Sequence, residues 1–329
     1  SIILIYHSKF DSTRKESSIY FSYSDMTVPY LNNYQVDIKY CTFDNCDSDN
    51  GAAIFINSTE VMKQITISHC QFTNLNATNQ GGAIFYNAQK DSSKPIDSSI
   101  EQTCLSIQNC IFKITTSQLS GGAVYINTLN CKTNRAIEIK NCLFDHCNVS
   151  DVESGDGGAI YIISSEGYRR FNIVNCSFIS CISSQFGGGI YFKASFGNIR
   201  DSFFSNNEAS KGGNDIYYEQ GTTEKTSEKL SIFKNIFQQV EASPNAGISL
   251  IYLKFLDVSN FDFDNNQISI ANHLNELRVF GYDEAATFLG SIIIKDNSLS
   301  PPDNFLYETK NILSEKIDFY TAFSKTMVD

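Results

Sequence analysis

Nowhere does the sequence hold the ~18 uninterrupted apolar residues that a helical membrane span requires. Proline- or serine-rich linkers are also missing, so one elongated domain is the simplest organisation for 329 residues. Basic residues are scarce. The 25 Lys and Arg stand against 36 Asp and Glu, a net charge of −11, which argues against a nucleic-acid partner. Helical spacing of apolar residues is absent from the central region, which disfavours an α-helical domain. An initial Met and a leader are lacking too, the expectation for a mature or excised piece whose anchor, if any, lies outside it.

Against these absences stands a recurring phrase. It reads Gly51-Ala-Ala-Ile-Phe, Gly81-Gly-Ala-Ile-Phe, Gly121-Gly-Ala-Val-Tyr, Gly157-Gly-Ala-Ile-Tyr and Gly187-Gly-Gly-Ile-Tyr, with an eroded copy at Gly212-Gly-Asn-Asp-Ile-Tyr. Ahead of the first five runs a second phrase, Cys-x-Phe, at Cys41/Phe43, Cys70/Phe72, Cys110/Phe112, Cys142/Phe144 and Cys176/Phe178. Repeats a few tens of residues long cannot bury an apolar face alone and must stack on their neighbours.

The segment from Cys to Gly is nearly constant in length, except where Asp151–Asp156 stretches it, whereas the return from Gly to the next Cys varies. Insertions are therefore admitted at one corner of a coil. Apolar residues alternate within each unit (Ile65, Ile67, then Ile84, Tyr86), the mark of short strands with one face inward. The Gly pair marks a corner needing positive φ or close backbone approach. These features predict an all-β parallel β-helix, a solenoid of about 6–9 coils spaced by ~4.8 Å, with interior columns of Cys, Phe and Ile/Val. Residues 1–33 are expected to cap one end, 34–218 to form the well-made coils and 219–300 the degenerate ones. Those three units centre on Ile232/Phe237, Phe261/Phe263 and Ile292/Ile294. Residues 301–329 are expected to close the other end, with a helix carrying Leu306, Ile312, Leu313, Ile317 and Tyr320 on one face.

Gly-Gly-Ala-Ile, as at 81–84 and 157–160, paired with Phe-x-x-Asn, as at Phe204–Asn207 and Phe263–Asn266, resembles the polymorphic outer membrane protein repeat. That repeat is carried by chlamydial surface autotransporters and by surface-protein families of protists such as trichomonads. In this chain Cys replaces the Asn at Cys46, Cys147 and Cys181. The resemblance covers 34–218 and implies a right-handed β-helix on a cell surface, with adhesive or host-interaction roles.

Eight of the ten cysteines fall in the repeat: Cys41, Cys70, Cys110, Cys142 and Cys176 in one column, Cys46, Cys147 and Cys181 in another. Stacked in register, their spacing exceeds what a disulfide prefers, and they read as buried thiols. Zinc is the competing reading, but this spacing is not a usual ligand pattern, and no metal or cofactor is assigned. Cys104 and Cys131 lie outside the columns, at the open corner of consecutive coils, and form the best disulfide pair. Such a bond would place folding in an oxidising compartment. The sequons at Asn57, Asn76 and Asn148, expected in loops or at strand ends, are candidate glycosylation sites. A fourth, Asn175, is read as lying inside a strand and unmodified.

Catalysis on a β-helix would need carboxylates converging on one face. Polygalacturonase-type phrases are absent. Asp44, Asp145 and Asp264 recur singly after Phe, and His69 and His146 should point outward. A calcium site in the acidic run Asp151–Asp156 competes with a plain solvated loop. The variable corner (58–63, 88–103, 128–136 and 163–170) gathers Lys90, Lys94, Lys132, Arg135, Arg169 and Arg170, a basic patch on an acidic protein and a candidate partner-binding surface. The function expected is that of a non-enzymatic surface or extracellular protein, engaged in adhesion, protein–protein interaction or assembly with a protein or glycan partner. Alternatives are a polysaccharide-active enzyme and an intracellular architectural protein bound along a filament.

Overall fold

A computed structural model describes residues 2–11, 14–23, 35–58, 64–88, 103–129, 136–164, 170–194, 196–219, 230–241, 246–247, 249–254, 260–271, 274, 277–282, 291–295, 297–300 and 323–325. These residues build three parallel sheets of 10, 16 and 9 strands, and no α-helix occurs among them. Each coil gives a strand to every sheet in turn. In the third coil these are Gln64–Ser68, Gln71–Gln80 and Ile84–Ala88. The chain is a parallel β-solenoid.

Register is strict, and it places like on like. Phe72 pairs with Phe43 on one side and Phe112 on the other, and the column runs on through Phe144, Phe178, Phe204 and Phe237. The rings stack 4.6–5.0 Å apart, and Phe43 through Phe237 are fully buried. Columns of Ile and Val from the other two sheets complete the core: Ile54, Ile84, Val124, Ile160 and Ile190 in one, Val36, Ile65, Leu105 and Ile137 in another.

Both ends of the described chain carry strands of the ladder. Ile2–Tyr6, Lys9–Asp11 and Ile19–Tyr23 pair in register with the strands above them and so continue the ladder as a first coil. All three degenerate units join it as well: Phe237 stacks beneath Phe204, Phe261 pairs with Leu230, and Ile292 pairs with Phe261. Of 301–329 only Phe323–Lys325 is described, as a strand beside Asn297–Ser300. The remainder of the expected helical segment lies outside the described residues.

Each of the six coils between Gln35 and Glu219 has three corners of left-handed backbone. The Gly pair divides the work at the third. Gly157 takes φ +68°, while Gly158 has no room for a side chain because a Cβ there would strike the Gly188 carbonyl oxygen. The other two corners escaped the sequence reading. The first holds His7, Tyr40, His69, Asn109, Asn141, Asn175, Asp201, Lys234 and Asn265 at φ 49–58°. The second holds Asn45, Asn74, Ile114, His146, Ser180 and Asn206 at φ 51–53°. Asn, Asp and His tolerate this region, and their enrichment just before each inward Cys or Asn was the available signal.

The residue after each of these corners turns inward and serves the turn. Cys142 Sγ lies 3.2 Å from the Lys140 carbonyl and 3.6 Å from the Ile107 carbonyl of the coil before; Cys176 repeats the pattern at 3.4 and 3.5 Å. The thiols are thus weak hydrogen-bond donors as well as fillers. Down the axis Ser202, Asn235, Asn266 and Asn297 take over the same column, with Asn266 Nδ2 donating to Asn297 Oδ1 at 3.0 Å. Phe263-Asp-Asn-Asn266 therefore turns the first corner, not the second corner occupied by Phe204–Asn207.

Ile114 breaks the corner rule. A β-branched residue, 55% exposed, sits at φ 53° where preceding coils carry Asn45 and Asn74. Left-handed backbone costs a non-Gly residue roughly 1–2 kcal/mol, and Asn pays less of it. Ile114→Asn is expected to raise the urea midpoint by an amount equivalent to about 1 kcal/mol; an unchanged or lower midpoint would contradict the corner assignment.

Candidate functional site

Alternation along the third sheet sends Val124, Ile160, Ile190, Ile216 and Ile251 inward and the next residue of each strand outward. The outward column is aromatic: Tyr20, Phe55, Phe85, Tyr125, Tyr161, Tyr191, Tyr217 and Tyr252. From Tyr125 to Tyr252 the ring centroids are 5.2, 4.7, 4.6 and 5.7 Å apart, with planes within 14° of parallel. Neighbours cover the ring faces, so the row presents edges and hydroxyls rather than flat stacking platforms.

Two residues further along each strand lies a charged clasp. Glu219 accepts from Lys193 Nζ at 2.6 Å, from Lys254 Nζ at 3.4 Å and from the Tyr217 hydroxyl at 3.1 Å. Burial pushes the Glu219 carboxyl upward, but the Lys193 hydrogen bond and the two lysine charges outweigh it and hold the group below its usual range. Glu219 is therefore ionised at neutral pH.

At the corner before the same strands sits Asp156. Its Oδ1 accepts the Phe186 backbone N–H at 3.2 Å, and Phe186 leans on Tyr217 with centroids 4.8 Å apart. Burial pushes Asp156 up to about 7; the Phe186 N–H and Lys211 charge pull it down, and Glu219 adds repulsion. Burial, together with neighbouring phenols and these two carboxylates, keeps Tyr161 and Tyr191 protonated well beyond their usual range. The patch unites groups from four successive coils, 156 to 254. It was visible at fixed offsets in the repeat phrase, as the closing aromatic and the residue two beyond it.

The expected site residues are distributed otherwise. Lys90, Lys94, Lys132, Arg135 and Arg169 lie outside the described residues; Arg170 is exposed at the start of strand Arg170–Val174. Cys104 is buried within Thr103–Gln108 rather than at the open corner, with Sγ 3.4 Å from the Ala136 carbonyl, and Cys131 lies outside the described residues. The described thiols of the two columns are free, and burial holds Cys142 and Cys181 well above the usual thiol range, so they are protonated and inert.

Among the sequons, Asn76 is exposed on the second sheet and accepts from the Thr116 hydroxyl at 2.8 Å. Asn57 lies near the end of strand Ile54–Ser58, accepting from Asn87 Nδ2 at 3.1 Å, and Asn148 opens the short strand Asn148–Val149. Asn175 occupies an exposed corner, not a strand interior, and donates to Asn141 Oδ1 at 2.9 Å. His69 and His146 are exposed at corners, as alternation required. The Asp151 carboxylate is taken up by its own loop, accepting from Glu153 N and Ser154 Oγ, both at 2.9 Å. No group of three or more metal-ligating side chains occurs among the described residues, and no described helix is long and apolar enough to cross a membrane. No family model, curated protein or solved structure matches the chain.

Proposed function

We propose that this chain is a non-enzymatic β-helix of the cell surface or extracellular space that binds a protein or glycan partner in adhesion or assembly. One observation carries the reading. The strands bearing the tyrosine row and the Lys193–Glu219–Lys254 clasp run directly into the corner where the repeat admits insertions. A rigid ladder that holds charged and phenolic groups beside variable loops is the arrangement of a scaffold displaying a binding face. Both Glu219 oxygens are occupied, which suits a structural clasp better than a catalytic base and weighs against the polysaccharide-active alternative.

Protein immobilised on a sensor and exposed to intact cells and to neutral and acidic polysaccharides is expected to retain at least one of them. Lys193→Ala with Lys254→Ala should lose most of that retention without loss of the β-sheet circular dichroism signal. Turnover of any polysaccharide by the parent chain would overturn the non-enzymatic reading. An unmodified intact mass with all ten thiols reduced, on protein taken from its native source, would favour the intracellular one.

A further inference from the structure

Five consecutive coils place a tyrosine at the same outward position, and the closest approach in the row is between Tyr191 and Tyr217, with ring centroids 4.6 Å apart and planes 14° from parallel. Parallel pairing sets the two residues directly opposite each other. The Tyr217 hydroxyl donates to Glu219 Oε2 at 3.1 Å. Both tyrosines are under a tenth exposed, at 8% and 3%. Beside them Tyr161 and Tyr252 are half-buried and stacked within 4.7 and 5.7 Å.

We propose that Tyr191 and Tyr217 are an oxidative cross-linking site, joined as a dityrosine that staples two successive coils when the protein meets a haem peroxidase and hydrogen peroxide. The half-buried rings of the row give the oxidant access, and the stack passes the electron deficit inward. Each phenol surrenders one electron. The Tyr217 proton passes to Glu219, a carboxylate kept ionised by Lys193 and Lys254, and the Tyr191 proton is released to water at the exposed edge of its ring. The two phenoxyl radicals carry spin on their ortho carbons, and a carbon–carbon bond forms between them. The two ring hydrogens then move to the phenolic oxygens, restoring both aromatic rings. In sum two electrons and two protons leave the pair, and one hydrogen peroxide accepts them to become two waters. Burial directs this coupling within one molecule, because neither ring can reach a second copy. Exposed tyrosines such as Tyr20 and Tyr40, at 62% and 50%, have the opposite tendency. The site stands independently of what the surface binds.

Treatment of the dilute intact chain with a haem peroxidase and hydrogen peroxide, followed by size separation and peptide mapping, tests this. Monomer is expected to fall in mass by two hydrogens, to gain dityrosine fluorescence and to yield a peptide joining Tyr191 to Tyr217. Y191F and Y217F should each abolish that peptide, while Y20F leaves its yield unchanged. Both changes are compatible with folding because Phe55 and Phe85 already occupy this column; circular dichroism of each variant confirms it. Dityrosine confined to dimers, mapped in the monomer to other residues, or absent altogether overturns the assignment.

Discussion

Phe144→Ala is expected to lower unfolding stability by about 3–5 kcal/mol in urea titrations. The ring is completely buried, with Phe112 at 4.8 Å on one face and Phe178 at 4.9 Å on the other. Loss of its apolar area is only part of the cost. The remainder depends on whether the walls can close on the vacancy, and here they cannot easily do so. Backbone hydrogen bonds to the coils above and below hold the spacing: Leu143 pairs with Ile111 and Ser177, and Asp145 with Lys113 and Ile179. Phe112→Ala should behave alike. A loss below about 1 kcal/mol at both positions would show that the phenyl column is not a close-packed core.

Asp215 controls the second large effect. It stands in the inward column that other coils fill with Ala53, Ala83, Ala123 and Ala159, and it is completely buried. One carboxyl oxygen accepts from Asn207 Nδ2 at 2.9 Å; the other has no hydrogen-bond partner. Burial pushes the group up to about 7, with the Asn207 bond opposing. Between about pH 4 and pH 7 the folded protein therefore holds a proton that the unfolded chain has lost. Stability from this residue falls as pH rises through that window and levels off above it. Three units of displacement correspond to about 4 kcal/mol at most. Asp215→Asn keeps the bond from Asn207 and removes the titration. It should match the parent at pH 4 and exceed it at pH 8, by several degrees in Tm. Asp156, raised to a similar value, leaves a residual slope in the variant. Equal melting of variant and parent at pH 8 would mean that Asp215 is not held protonated.

Most of the fold was legible because stacking writes itself into the sequence as recurrence. Phe43, Phe72, Phe112 and Phe144 recur because each must cover the ring below, and the Gly recurs because the first of each pair takes positive φ and the second, at Gly82, Gly122, Gly158 and Gly188, has a carbonyl oxygen where a Cβ would sit. Coils whose recurrence had decayed, such as those around Phe237 and Ile292, were still placed by alternation alone. Less legible were the two corners without glycine. Tyr40, Ile114, Ser180 and Lys234 share one backbone geometry with Asn and His but no side-chain chemistry, so no single letter marks the turn. For the same reason Phe263–Asn266 matched the motif of one corner while turning another: both corners ask for an apolar residue, a spacer, a left-handed residue and an inward donor.

The tyrosine row was in plain sight as the last letter of the repeated phrase, yet its meaning depended on direction. Only alternation measured from the buried Ile places Tyr161 outward. Glu219 gave less warning still, since its lysine partners are 26 and 35 residues away and meet it only through register.

Because the backbone bonds between the described coils point along the stacking axis, end-to-end tension loads the successive junctions in series. The weakest junction between two turns would yield first, while turns on either side kept their own contacts. A tether of this build lengthens turn by turn under load instead of failing at once, and a covalent staple between two turns would remove one of those increments.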